Sequence, residues 1–257
     1  MKSDREFAVK LVTRVGNELA AHFRRDRGLA GLRRTVKGIT TKYDKEMDEE
    51  FVRAISEKYP THNIWTEERG KIDKGSEYTW IADPLDGTVN FASCNPLFCV
   101  TLALLRGNEP VLGVVHAPAI GELFVAEKGK GAFLNRERIS VSTAEKLEEC
   151  YVYFCEGGDE DRFRTGRING AVYPRVRDLR KLGSASLEAA WVACGRGDAY
   201  ITTKIEPWDI AACVLLVQEA GGKVTNFRGE AWRAERSDLV FSNGRVHGRV
   251  LELVGGL

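Results

Sequence analysis

The sequence contains no apolar run near the roughly 18 residues needed to cross a bilayer. Its first ten residues, Met1 to Lys10, scatter charge where a secretory leader would carry an apolar stretch. Neither a membrane partner nor export is expected. Histidine is scarce: the four residues, at 22, 62, 116 and 247, are dispersed, and no H-x-x-x-H pattern exists. The six cysteines, at 94, 99, 150, 155, 194 and 213, form no C-x-x-C pair. A chain of 257 residues does not need disulfide staples. Reduced, mostly buried thiols in a cytoplasmic protein are the expectation, although the spacings Cys94/Cys99 and Cys150/Cys155 are compatible with zinc or a disulfide. An excess of one charge is also missing, with 38 Lys+Arg against 37 Asp+Glu. That argues against a dedicated nucleic-acid binder. The motifs G-x-S-x-G, the P-loop and G-x-G-x-x-G are absent, so no protein nucleophile or nucleotide cradle announces itself. No repeat and no low-complexity stretch appears.

What is present is an ordinary globular composition, 43% hydrophobic and 29% charged, enough for a sizeable core. Phe7, Leu11, Val15, Leu19 and Phe23 recur every four residues and predict a first helix. The basic stretch from Arg24 to Gly38 reads as a mobile loop. A second helix is expected from about Asp44 to Tyr59, stopped by Pro60. The period then changes. Asn63–Thr66, Tyr78–Ala82, Phe98–Arg106, Val111–Ala117, Glu122–Glu127 and Ala132–Leu134 read as an antiparallel meander. Beyond 142, strands at Tyr151–Phe154, Ala199–Thr202, Val224–Phe227 and Leu239–Ser242 alternate with helices. The helices are expected at Ser184–Cys194, Pro207–Ala220 and Val246–Val254. An α+β half at 1–142 and an α/β half at 143–257 are therefore expected, layered against each other.

The most informative stretch is Trp80-Ile-Ala-Asp-Pro-Leu-Asp-Gly-Thr-Val-Asn-Phe91. Asp83 and Asp86, three residues apart on a tight turn, can converge on one cation, and oxygen donors favour Mg²⁺ or Mn²⁺ over zinc. The amides of Gly87 and Thr88 can hold an anion such as phosphate. The same residues are turn formers, so the stretch alone leaves a plain turn as an alternative. Glu67-Glu68, Asp44 at a helix start and Asp209 in the first turn of the late helix each have a bland reading too.

Together these landmarks resemble the inositol monophosphatase superfamily, most closely its inositol monophosphatase / fructose-1,6-bisphosphatase branch. The resemblance runs through Glu67-Glu68, W-I-A-D-P-L-D-G-T-V-N-F at 80–91 and G-V-V-H-A-P-A at 113–119. It continues through G-K-G-A-F-L-N at 129–135, L-G-S-A-S at 182–186, P-W-D-I-A-A at 207–212 and E-A-G-G at 219–222. It implies a layered αβαβα sandwich of the sugar-phosphatase type. It also implies metal ligation by Glu67, Asp83, the Leu85 carbonyl, Asp86 and Asp209, with roughly two or three Mg²⁺ ions between carboxylates that would otherwise repel one another. Thr88 and Asp44 match the pair that orients and helps deprotonate the attacking water, with Glu67 and Asp86 acting through the metal. Gly87, Thr88, Gly183, Ser184 and Ala185 match substrate-facing positions.

Thr202 stands where inositol-specific members carry a Glu, seven residues before Asp209, and Lys204 stands where bisphosphate-tolerant members often carry a base. That departure favours a pocket able to take fructose 1,6-bisphosphate, with Lys204 on the second phosphate. Lys37 resembles a loop lysine that reaches the metal site in some members. The arginine-rich stretch from Arg162 to Lys181 reads as a charged surface balanced by Asp159, Glu160, Asp161 and Asp178. The resemblance thus implies a Mg²⁺-dependent phosphomonoesterase acting on a small phosphorylated sugar or cyclitol, and a homodimer. A 3′-phosphoadenosine 5′-phosphate phosphatase and a non-catalytic anion-binding homologue are the alternatives.

Overall fold

A computed structural model describes residues 2–26, 33–35, 38–40, 42–156 and 162–257. Helix α1 (Lys2–Asp26) is followed by a hairpin of β1 (Arg33–Thr35) and β2 (Gly38–Thr40), then by α2 (Lys42–Lys58). The basic stretch expected as a loop thus carries the end of a helix and two short strands, and Lys37 lies outside the described residues.

Strands β3 (Asn63–Thr66), β4 (Gly70–Ile72) and β5 (Tyr78–Asp86) come next, then α3 (Thr88–Ala92). They are followed by β6 (Cys99–Arg106), β7 (Glu109–Ala117), β8 (Glu122–Glu127), β9 (Gly131–Leu134) and β10 (Glu137–Arg138). Strands β3 to β10 form one sheet in the order β10-β9-β8-β7-β6-β5-β3-β4. It is antiparallel from β5 to β10, as the expected meander requires, but β3 joins β5 in parallel. The remaining elements are β11 (Tyr151–Glu156), α4 (Arg162–Val172), β12 (Asp178–Arg180), α5 (Ala185–Ala193) and β13 (Ala199–Ile205). They continue with α6 (Pro207–Glu219), β14 (Lys223–Asn226), β15 (Ser237–Ser242) and α7 (His247–Val254). Their strands form a second sheet, β12-β11-β13-β15-β14.

The layering follows from side-chain pattern. Along β6, Val100, Leu102 and Leu104 face α1 and α2, while Cys99, Ala103 and Leu105 face α5 and α6. Both faces are covered, so the strand reads as an unbroken apolar run rather than an alternation. Helices α5 and α6 lie between the two sheets and are apolar almost all round; Ile210 to Val217 are all buried. Helix α1 has one apolar stripe, Ala8, Leu11, Val12, Val15 and Leu19, because only one side of it meets a sheet. On the far side, Ile168 and Val172 of α4 and Val250 and Val254 of α7 cover the second sheet. The result is a layered αβαβα sandwich with three apolar cores. Among the described residues no helix is long and apolar enough to cross a membrane.

All six cysteines are free thiols, so neither spaced pair forms a disulfide. In the arginine-rich region Arg180 pairs with Asp178 at 2.7 Å and Arg164 with Asp238 at 2.7 Å. Asp159, Glu160 and Asp161 lie outside the described residues.

Candidate metal centre and active site

Parallel pairing of β3 with β5 sets Thr66 beside Ala82. The next residues along the two chains, Glu67 and Asp83, therefore emerge at the same sheet end. Strand β5 does not stop at Ala82 as its pattern suggests. It runs through the D-P-L-D stretch to Asp86, with a register shift between Asp83 and Asp86 against β6. Ile81 packs on the α5–α6 side, so plain alternation aims Asp83 there too; Pro84 removes a ladder donor, and the irregularity after Asp83 brings Asp86 to the same side. Asp209 reaches the same place from the first turn of α6. There Glu206 and Asp209 form a reciprocal capping box, with the Glu206 N–H donating to Asp209 Oδ2 at 3.2 Å. Carboxylate oxygens of Asp83, Asp86 and Asp209 all lie within 4.8 Å of one another.

Such a cluster is costly without a cation. At an effective dielectric of about 20, two unit charges at that separation repel by roughly 3 kcal/mol. Burial first, then the charges of Glu67, Asp86 and Asp209, holds the Asp83 carboxyl well above the usual carboxylate range. Burial, with Asp86 and Glu67 close by, does the same to Asp209. Asp86 is also raised by burial, although four donors pull the other way. Ser184 Oγ donates to Asp86 Oδ2 at 2.5 Å, the Ser186 N–H to Oδ2 at 2.8 Å and the Ala185 N–H to Oδ1 at 3.2 Å. Cys99 Sγ is the fourth donor, at 3.5 Å. A carboxylate held by this many donors keeps a fixed orientation.

Glu67 stands at the rim. As a residue it is exposed, but its carboxylate is crowded by protein and by Asp44 and Glu68, and burial with these charges raises it to about 8. The folded chain thus keeps a proton there that the unfolded chain releases near 4.5. The stability that this contributes is present at low pH and is lost as pH rises through about 8. Glu67→Gln in chelator is therefore expected to gain melting temperature relative to the parent chain as pH climbs from about 5 to about 9. Paired thermal melts check it; a difference that stays flat with pH contradicts it.

Asp44, buried in the first turn of α2, meets Thr88 at the start of α3. Thr88 Oγ1 lies 3.1 Å from both Asp44 Oδ1 and the Leu85 carbonyl. The structure thus brings Asp44, Glu67, Asp83, Leu85, Asp86, Gly87, Thr88 and Asp209 into one neighbourhood. The segment 183–185, expected to face substrate, packs against Asp86 and Glu188. Ser184 and Ala185 are buried and give their donors to Asp86, and the Gly183 N–H donates to Glu188 Oε1 at 3.3 Å. Lys204 is half-buried at the irregular end of β13, with φ +51°, and its N–H donates to Asp238 Oδ1 at 2.9 Å. Its carbonyl accepts from Arg236 Nε, and Arg236 pairs with Glu206 of the α6 cap. Thr202 is buried within the same strand. Sequence reasoning missed Cys99 and Ser186 as partners of Asp86. Nothing local marks Cys99 within an apolar strand, whereas a second serine at a helix start was a visible donor signal.

A model of the Inositol monophosphatase family matches residues 1–256. The fructose-1,6-bisphosphatase/inositol-1-monophosphatase of Thermotoga maritima is 42% identical over an alignment of 255 residues that covers 97% of this chain and 94% of that protein. The Nus factor SuhB of Escherichia coli (strain K12) is 34% identical over 242 residues, 93% of this chain and 91% of that one. Among solved structures, an IMPase from Thermotoga maritima superposes with a TM-score of 0.89 at 41% identity. That match covers 100% of this chain and 98% of the other. The fold is the layered α/β sandwich of that structure. The chain belongs to the inositol monophosphatase family.

Proposed function

We propose that this chain is a Mg²⁺-dependent phosphomonoesterase that hydrolyses small phosphorylated cyclitols and sugars, inositol monophosphate and fructose 1,6-bisphosphate among them. The observation that carries the reading is the meeting of the buried Asp83 and Asp86 of β5 with the half-buried Asp209 of α6 beside the Thr88–Asp44 hydrogen bond. The donor set fits a hard divalent cation: all oxygen, multiply anionic, with pKa values raised by burial and mutual repulsion. Glu67, Asp83, Asp86, Asp209 and the Leu85 carbonyl would hold Mg²⁺, with Mn²⁺ as the alternative. When bound, the metal supplies Lewis acidity toward phosphate oxygens and a nucleophilic water near neutral pH.

The chain's own groups supply the rest. The Thr88 hydroxyl donates to Asp44 and keeps lone pairs with which to accept a hydrogen bond from a water at the cleft. Asp44, fixed on α2, is the base: it would take the Thr88 hydroxyl proton as Thr88 Oγ1 takes one from that water. The amides of Gly87 and Thr88 hold the phosphate at the start of α3. Ser184, Ala185 and Ser186 keep Asp86 in one orientation, which spares reorganisation during the reaction. Lys204, near the α6 cap, contacts a second phosphate where the substrate has one.

The relatives favour this reading in different degrees. The Thermotoga protein is named for both phosphatase activities, whereas the Escherichia coli protein is named as a Nus factor. A panel at fixed Mg²⁺ with inositol 1-phosphate, fructose 1,6-bisphosphate and 3′-phosphoadenosine 5′-phosphate tests it. The sugar and cyclitol phosphates should be preferred; preference for the nucleotide contradicts the substrate assignment. Lys204→Gln should raise KM for the bisphosphate about tenfold, the worth of one charge-assisted hydrogen bond, and leave KM for inositol 1-phosphate unchanged. Equal effects on both substrates would remove Lys204 from the second-phosphate role.

A further inference from the structure

The donors that orient Asp86 come from the loop at 184–186, and the group that shapes this loop sits outside the cleft. Glu188 is the one charged residue of α5, a helix buried between the two sheets where its pattern would otherwise place an apolar side chain. It is fully buried. Its Oε1 accepts the Leu182 N–H and, at 3.3 Å, the Gly183 N–H. Its other oxygen has no partner among the described residues. The Leu182 carbonyl is pinned from the opposite side. Asn90 Nδ2 donates to it at 2.7 Å and to the Leu97 carbonyl at 2.7 Å. Asn90 belongs to α3, the helix that begins right after Asp86 and Gly87. The peptide at Leu182 is therefore clamped by its N–H to α5 and by its carbonyl to α3. From that clamp the chain turns so that Ser184 Oγ and the Ala185 and Ser186 amides converge on Asp86.

An ionisable side chain in this position is expensive. Burial raises Glu188 to about 8, and two backbone donors only partly offset the loss of water. The unpartnered second oxygen of Glu188 adds to that cost, so the side chain is not part of a fully satisfied polar network. An apolar residue would cost the fold less and would leave the 182–183 amides unheld.

We propose that Glu188 is a positioning residue: by accepting the Leu182 and Gly183 amides it holds the 182–186 loop on Asp86 and so sets the affinity of the cleft for its divalent cation. The inference rests on the Mg²⁺-dependent phosphatase reading of that cleft. The needed property is the acceptor oxygen, not the volume or the charge. Glu188→Gln keeps the acceptor; Glu188→Met keeps the length and removes it.

The test uses the full chain with two readouts: the Mg²⁺ concentration at half-maximal phosphate release from inositol 1-phosphate, and the rise in melting temperature on adding Mg²⁺ without substrate. Glu188→Gln should stay within about threefold of the parent in Mg²⁺ half-saturation. Glu188→Met should need roughly 10–100-fold more Mg²⁺, the range found for lost outer partners of metal ligands. Its substrate KM at saturating Mg²⁺ should stay within about threefold, a split that general loosening of the fold would not produce. If the Met variant does not fold, Glu188→Asp takes its place, since a carboxylate one methylene shorter cannot reach both amides; it should shift while Gln does not. Equal Mg²⁺ half-saturation for Gln and the acceptor-deficient variant, shifted or not, overturns the proposal. Absence of Mg²⁺-dependent release by the parent chain would instead sink the phosphatase reading, and the melting-temperature arm would still compare cation binding among the variants.

Discussion

Asp86→Asn is expected to lower phosphate release by at least about 10³-fold at saturating Mg²⁺, because outer partners of a metal ligand alone cost about 10–100-fold and here a ligand and its charge are lost together. The hydrogen bonds say how the amide would sit. Oδ2 accepts from Ser184, Ser186 and Cys99, whereas Oδ1 accepts from Ala185 alone. The amide oxygen therefore takes the place of Oδ2, and its NH₂ turns toward the Ala185 N–H and the cleft, where it offers protons instead of lone pairs. The fold should survive. Burial already holds Asp86 above the usual carboxylate range, so removing its charge relieves a cost of the metal-free chain. The variant should melt at or above the parent in chelator and gain less from added Mg²⁺. Turnover near that of the parent would mean that Asp86 is not a ligand.

Gly87→Ala is expected to damage both stability and activity. Gly87 has φ +89° and ψ +36° at the start of α3. A Cβ there would stand 2.9 Å from the Leu97 carbonyl oxygen, 3.2 Å from Ser184 Cβ and 3.3 Å from Phe98 Cα. Two of these three are backbone atoms and cannot rotate away. The left-handed conformation costs an alanine about 1–2 kcal/mol, and overpacking adds about 1–3 kcal/mol. The sum is a fall in melting temperature of roughly 5–15 °C for a chain of this size. Relief can come only by moving α3, which carries Thr88 away from Asp44. A displacement near 1 Å there should cost about 10²-fold in kcat. Gly121→Ala is the control, since Gly121 shares the positive φ with nothing within 4 Å of its Cβ. It should lose only the conformational part and keep activity. Equal losses in the two variants would show that crowding at Gly87 does not matter.

How much of this was legible beforehand depended on whether the signal was local. The stripe of α1 and the runs of β6, β7 and β8 carried their fold in their own period, since each side chain meets a layer that repeats with the backbone. Helix α4 was missed because little of it is apolar and buried. Ile168 and Val172 face the core, Phe163 is exposed, and Gly166 and Gly170 interrupt the pattern. Strands β4 and β10 are edge strands of three and two residues, too short to show a period. The end of β5 was misplaced because Asp83 to Asp86 read as a tight turn, whereas the sheet absorbs Pro84 in a register shift.

At the site, residue types suggested oxygen ligands, and the likeness to a family supplied the set. The convergence itself depends on pairings that no spacing encodes: Glu67 beside Asp83 through the parallel β3–β5 pair, and Asp209 through a helix more than a hundred residues away. The partners of Asp86 are the clearest case. Ser184 and Ser186 lie 98 and 100 residues along the chain from it, and only packing of α5 against β6 brings them there. The same holds for the segment 183–185, expected to face substrate, whose donors reach Asp86 and Glu188. The direction of those donors belongs to tertiary structure.

On the proposed function, the acidic cluster where β5 ends and α6 begins works by holding a divalent cation. That is tested most directly by titrating Mg²⁺ into chelator-stripped protein while following phosphate release from inositol 1-phosphate. No release is expected in chelator and saturable recovery as Mg²⁺ is added, with Asp86→Asn silent throughout. Release that continues undiminished in chelator would contradict it.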